Sequence, residues 1–145
     1  MTVLRPLLAI ATFGLLLSGT AEAEDLLIIA NPSVELTTPL TLKQVAALYL
    51  LRTTTWPNGS RIVPVNREAT SESRRQFTSS VLAEDNASLA IYWNEMHFRG
   101  KQPPVVQESE QAMLAFIQKV PGAVGYVSAS TGPIGVKVLA RVHLR

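Results

Sequence analysis

The chain has 145 residues, with 13 basic and 11 acidic side chains, a net charge of +2 and no cysteine. So slight a charge balance is not the strongly basic footprint of a nucleic-acid-binding face. Without cysteine there are no disulfides, thiolate nucleophiles or cysteine-based metal sites.

Met1 to Arg5 starts positive, Pro6 to Leu17 is apolar and uncharged, and Gly19-Thr20-Ala21-Glu22-Ala23 brings small residues to the place where a secretory peptidase cuts. The pattern predicts a signal peptide over residues 1–23, cleaved after Ala23, and hence an exported, periplasmic protein. The apolar run is shorter than the ~20 residues a spanning helix needs, so no stable membrane anchor is expected. The remainder, Glu24 to Arg145, keeps the net charge of +2 and suits one domain of the usual ~100–150 residues.

Asp25 to Ala30 reads as a short buried strand, closed by the turn Asn31-Pro32-Ser33. Thr41 and Gln44 form a capping-box pattern at the start of a helix whose apolar stripe is Leu42, Val45, Leu48 and Tyr49. After the Trp56-Pro57-Asn58-Gly59 loop, Ile62 to Asn66 is a second strand, in which Pro64 points to an edge position or an irregularity. The polar stretch Arg67 to Ser73 leads into a helix capped by Ser71, with Phe77, Val81 and Leu82 inward. A further helix carries Leu89, Tyr92, Trp93 and Met96 at helical spacing and ends near Gly100. Val105-Val106 is a short extended segment. Ser109 caps a helix with Met113, Phe116, Ile117 and Val120 inward, stopped by Pro121-Gly122. Val124 to Val127 is a strand. A final strand alternates Val136, Val138, Ala140, Val142 and Leu144 with Lys137, Arg141, His143 and Arg145. Alternating strands and helices imply an α/β fold with helices packed on a sheet.

Arg67 to Arg75 is the segment richest in chemistry. A strand ends, a cation follows, and the hydroxyls of Thr70, Ser71 and Ser73 sit where a helix opens. A helix start offers unpaired N–H groups and partial positive charge, so the stretch suits an oxyanion. Arg74 and Arg75 would add positive potential. The same residues equally describe a capped helix with solvated arginines. His97 and His143 lie in no ligand motif, and no nucleophile, base and orienting acid can be assembled. Trp56 and Trp93 accompany apolar stripes and read as packing residues.

Three segments carry a family resemblance. Leu40-Thr41-Leu42-Lys43-Gln44-Val45-Ala46-Ala47-Leu48-Tyr49-Leu50, followed by Trp56, is similar to a family helix that continues Gly-Lys-x-x-x-Trp, with Leu51-Arg52 replacing glycine and lysine. Arg67-x-x-x-Ser71-Glu72-Ser73-x-x-x-Phe77 is similar to an Arg-x-x-x-Ser-Gly-Thr-x-x-x-Phe phosphate loop. Pro121-Gly122-Ala123-Val124-Gly125-Tyr126 is close to Pro-Gly-Ala-Ile-Gly-Tyr. From Leu27 to about Ser130 the chain thus resembles the second lobe of the periplasmic phosphate-binding proteins of ABC importers. The resemblance implies a single lobe of a type II periplasmic-binding-protein fold, a short mixed sheet flanked by helices, over residues 24–145. It implies Arg67, Ser71 and Ser73 as anion ligands, helped by the N–H groups of Glu72 and Ser73. Glu72 stands where the family has glycine, and its charge would repel an anion at short range. The implied ligand is inorganic phosphate or a similar oxyanion, with an ABC transporter or another periplasmic protein as partner and no cofactor, metal or enzymatic reaction. The alternative is an adaptor that uses the lobe to bind a protein, through a surface such as the basic face of Lys137, Arg141, His143 and Arg145.

Overall fold

The computed structural model describes Gly19 and residues 23–145, and the rest of the expected leader lies outside the described residues. Among these residues five strands, β1 (Leu26–Ala30), β2 (Val63–Arg67), β3 (Val105–Gln107), β4 (Ala123–Ser128) and β5 (Lys137–Val142), form one sheet in the order β3-β2-β4-β1-β5. β2 is parallel to β3 and β4, whereas β1 is antiparallel to β4 and β5. Among the described residues four α-helices accompany the sheet: α1 (Leu42–Tyr49), α2 (Glu72–Phe77), α3 (Asn86–Phe98) and α4 (Glu110–Lys119). The fold is the α/β arrangement of a short mixed sheet and helices that the sequence implies. Among the described residues no helix is long and apolar enough to cross a membrane.

β1 lies inside the sheet and all five of its residues are buried, because helices cover both faces and leave no polar side to the strand. Leu26, Ile28 and Ala30 meet Val45, Leu48 and Tyr49 of α1 together with Phe77 and Val81. Leu27 and Ile29 belong to the opposite layer, with Met113 and Ile117 of α4. Each of the buried Val, Leu, Ile, Phe and Met side chains contributes about 1.5–3 kcal/mol on burial.

The helix starts are chemically determined. The Thr41 hydroxyl accepts the Gln44 N–H, while the Gln44 side-chain oxygen accepts the Thr41 N–H at 2.9 Å. Ser71, Asp85 and Ser109 cap α2, α3 and α4 in the same sense. Past Phe77 the backbone widens into a π-helical turn, Thr78–Leu82. At Gly125 a Cβ would stand 2.5 Å from the Met113 sulfur, so a larger residue would force Met113 to shift where α4 packs on β4.

The structure corrects two expectations. β2 is an interior strand, but β3 pairs with it only from Val65 onward, so Pro64 costs no ladder bond on that side. The alternation of the last strand breaks at a bulge opposite Ile28 and Ile29. Leu139 turns inward there and is buried, while Val138 is exposed, because one extra residue reverses the facing of those beyond it. In α3 the expected stripe of Leu89, Tyr92, Trp93 and Met96 is the face turned from solvent, with Met96 buried and the other three half-buried, whereas Ile91 and Phe98 are exposed. The basic face of β5 is also largely engaged. Arg141 donates to Asp25 at 3.0 Å, His143 Nδ1 lies 3.0 Å from the same oxygen, and Lys137 donates to the Val34 carbonyl at 2.7 Å. The Arg141 hydrogen bond is the chief reason that the Asp25 carboxyl is held below its usual range.

Candidate functional site

β3, β2 and β4 run in one direction, so their carboxyl ends, Gln107, Arg67 and Ser128, share one rim of the sheet. From the neighbouring strands β2 and β3 the chain leaves to opposite faces, α2 into the Phe77 layer and α4 into the Met113 layer. Such a divergence at the strand ends is the usual place for a ligand in an α/β sheet.

Arg67 closes β2 at this rim and is buried. Its backbone N–H donates to the Asn66 side chain at 3.0 Å and to the Tyr126 hydroxyl at 3.2 Å, and Tyr126 in turn donates to Asn66. Arg74 Nη1 donates to the Arg67 carbonyl at 2.7 Å. Backbone position is therefore fixed from three sides. Burial raises the Tyr126 and Tyr49 hydroxyls well above the ordinary tyrosine value, so both stay neutral donors.

The guanidinium is already occupied by an anion. Arg67 Nε and Nη2 donate to the two carboxylate oxygens of Glu68, at 3.1 and 2.9 Å. This is the side-on fork in which arginine holds a carboxylate or phosphate. Arg67 is the main cause of the depressed Glu68 carboxyl, which stays ionised at neutral pH. Nη2 also reaches the Glu108 carbonyl, and Nη1 the Ser73 hydroxyl, both at 3.4 Å.

The expected residues Arg67, Ser71 and Ser73 fall together at this junction, with different availability. The Ser71 hydroxyl oxygen accepts the Arg74 N–H at 3.1 Å as the α2 cap, leaving its own proton to donate. The first-turn N–H groups of Glu72 and Ser73 have no acceptor within the helix. The Glu72 side chain turns outward and pairs with Arg75 on the exposed side of α2, so its carboxylate is not aimed at Arg67. The negative charge at the site comes instead from Glu68 and, further off, from Glu110. Burial pushes Glu110 up, but hydrogen bonds from Thr131 and from the hydroxyl and N–H of Ser128, with the Arg67 charge, hold it below its ordinary value. The sequence singles out neither acid; the only signal for Glu68 is its place beside Arg67 at a strand end.

The three segments that carry the family resemblance meet beneath the junction. Phe77 stacks on Tyr126 with centroids 4.2 Å apart and planes 5° apart, and Tyr49 lies 4.6 Å from Phe77. Tyr49 donates to the Val65 carbonyl at 2.7 Å. At the opposite, amino end of β2, where Gly122 takes φ +76°, the Trp56 indole donates to the Gly122 carbonyl at 2.9 Å. What the segments share is thus the construction of a floor under the end of β2.

The chain matches no protein-family model and no curated protein. It does have neighbours in shape among solved structures. An ABC-type phosphate transport receptor from Vibrio cholerae is similar at a TM-score of 0.63 and 22% identity, over 80% of this chain and 45% of that one. A phosphate ABC transporter substrate-binding protein from Clostridium perfringens, solved with bound phosphate, is similar at 0.63 and 21%, over 80% and 44%. PstS from Borrelia burgdorferi is similar at 0.63 and 16%, over 81% and 47%. The chain spans less than half the length of each. Its fold is that of a lobe of a periplasmic binding protein.

Proposed function

We propose that the chain is a periplasmic, non-enzymatic solute-binding module, exported by a leader cleaved after Ala23, in which residues 24–145 form one lobe that binds an oxyanion, phosphate foremost. Arg67 supplies charge, the Ser71 and Ser73 hydroxyls and the N–H groups of Glu72 and Ser73 supply hydrogen bonds, and no bond is made or broken. The observation that carries this reading is the buried Arg67 fork at the strand end, already holding a carboxylate at 2.9 and 3.1 Å. The names of the structural neighbours support phosphate as ligand and an ABC transporter as partner. A one-sided, open site of this kind binds weakly, on the order of millimolar.

Calorimetric titration of Glu24–Arg145 with phosphate, with chloride as control, tests the reading. Saturable heat that disappears in Arg67→Ala is the expected result. Unchanged affinity in that variant would remove the site, and silence to tens of millimolar, well beyond the affinity of an open site, would turn attention to the adaptor alternative.

A further inference from the structure

The acid that fills the Arg67 fork belongs to the protein itself. Glu68 is the next residue along the chain, and both its oxygens are committed to Nε and Nη2. The other guanidinium contacts, to the Ser73 hydroxyl and the Glu108 carbonyl, are long at 3.4 Å. The Arg67 side chain is 9% exposed and that of Glu68 is 32% exposed. The cation is thus fixed and enclosed, while the carboxylate lies toward solvent, where a side-chain rotation can release it. Arg74 is not free to draw Glu68 away, since it is hydrogen-bonded to the Arg67 carbonyl.

We infer that Glu68 is an internal competitor for the Arg67 fork and sets which anions can enter it. This rests on the oxyanion reading above and adds a rule of selectivity to it. A carboxylate tethered one residue away competes at an effective concentration of about millimolar or more. A free monocarboxylate offers Arg67 the same two oxygens and the same single charge, without the tether, and so is turned away. A doubly charged tetrahedral oxyanion brings more charge and further oxygens, which reach Ser71, Ser73 and the adjoining N–H groups. It alone repays the displacement of Glu68. The site selects by charge, and the threshold is built into the chain.

The test compares wild type, Glu68→Gln and Glu68→Ala in calorimetric titrations with phosphate, sulfate and acetate at matched ionic strength. Phosphate and sulfate are expected to tighten together, by about tenfold in Glu68→Ala and less in Glu68→Gln, whose amide still accepts one hydrogen bond. Acetate is expected to be silent with wild type and saturable with Glu68→Ala. Because Glu68→Ala leaves the Arg67 charge unpaired, Glu68→Gln carries the same comparison if the alanine variant folds poorly, and thermal melts with and without phosphate report the tightening independently. Wild type that binds phosphate no more weakly than either variant overturns the competitor and leaves the oxyanion site standing. Silence of all three toward both oxyanions overturns the two readings together, whereas binding by the variants alone supports both.

Discussion

Beneath the end of β2, Tyr49, Phe77 and Tyr126 are fully buried, packed ring on ring, and all three come from the segments that carry the family resemblance. A few ångströms above them, Arg67, Glu68, Ser71 and Ser73 form a polar rim in which one guanidinium is shared among a carboxylate, a hydroxyl and a carbonyl. The floor is held by close packing, which tolerates little change in volume. The rim is held by charge-assisted hydrogen bonds, which can change partner without moving the backbone. Position and occupancy of Arg67 are thereby separated: the floor says where the cation sits, the rim says what it holds.

The strongest way to break this division is through the floor. Phe77→Ala removes a fully buried ring that stacks on Tyr126, and is expected to cost about 3–5 kcal/mol in urea or thermal unfolding. That is a large share of the ~5–15 kcal/mol that holds a typical protein folded. Phe98→Ala provides the contrast. Its ring is 83% exposed on α3, so the change is expected to stay within about 0.5 kcal/mol.

A subtler probe lies where floor and rim join. Tyr126→Phe keeps the stacked ring but deletes the hydroxyl that donates to Asn66 and accepts the Arg67 N–H. The Arg67 N–H still has Asn66 at 3.0 Å, so no donor is orphaned and the expected loss of stability is about 1 kcal/mol. Phosphate affinity is expected to fall as well, though less than in Arg67→Ala, because the backbone that aims the guanidinium is less well held. Unchanged affinity would show that the floor does not position the rim.

The sequence makes the floor more legible than the rim. Capping residues such as Thr41, Ser71 and Ser109, and apolar stripes such as Met113 with Ile117, act within one turn of chain and are readable one element at a time. Arg67, Ser71 and Ser73 are legible as a group because a strand end and a helix start are adjacent in sequence. The partner choices are not. Glu72 turns to Arg75 at ordinary i,i+3 helix spacing, but that Glu68 takes the fork is decided by side-chain directions at the end of β2, which no spacing rule encodes. The bulge that turns Leu139 inward depends on pairing with β1, more than a hundred residues away. Glu110 comes near Arg67 only because β2, β3 and β4 are parallel neighbours.

The smallest expected effect is the one that sets the two acids of the junction apart. Glu72 and Glu68 are four residues apart, and the family comparison marks Glu72 as the intruding charge. The Glu72–Arg75 pair lies on the open side of α2, with side chains 58% and 71% exposed, whereas Glu68 is bound to an enclosed arginine. Solvent screens an exposed pair, and its loss usually costs less than about 1 kcal/mol. Glu72→Ala is therefore expected to leave the unfolding midpoint and phosphate affinity nearly unchanged, while its backbone N–H, the group proposed to meet the anion, is kept. Replacing Glu72 by glycine, the family residue, should do no better for binding, since the side chain does not stand at the fork. If either substitution tightens phosphate binding as much as Glu68→Ala does, the anion approaches from the helix side and Glu72, not Glu68, is the acid it must overcome.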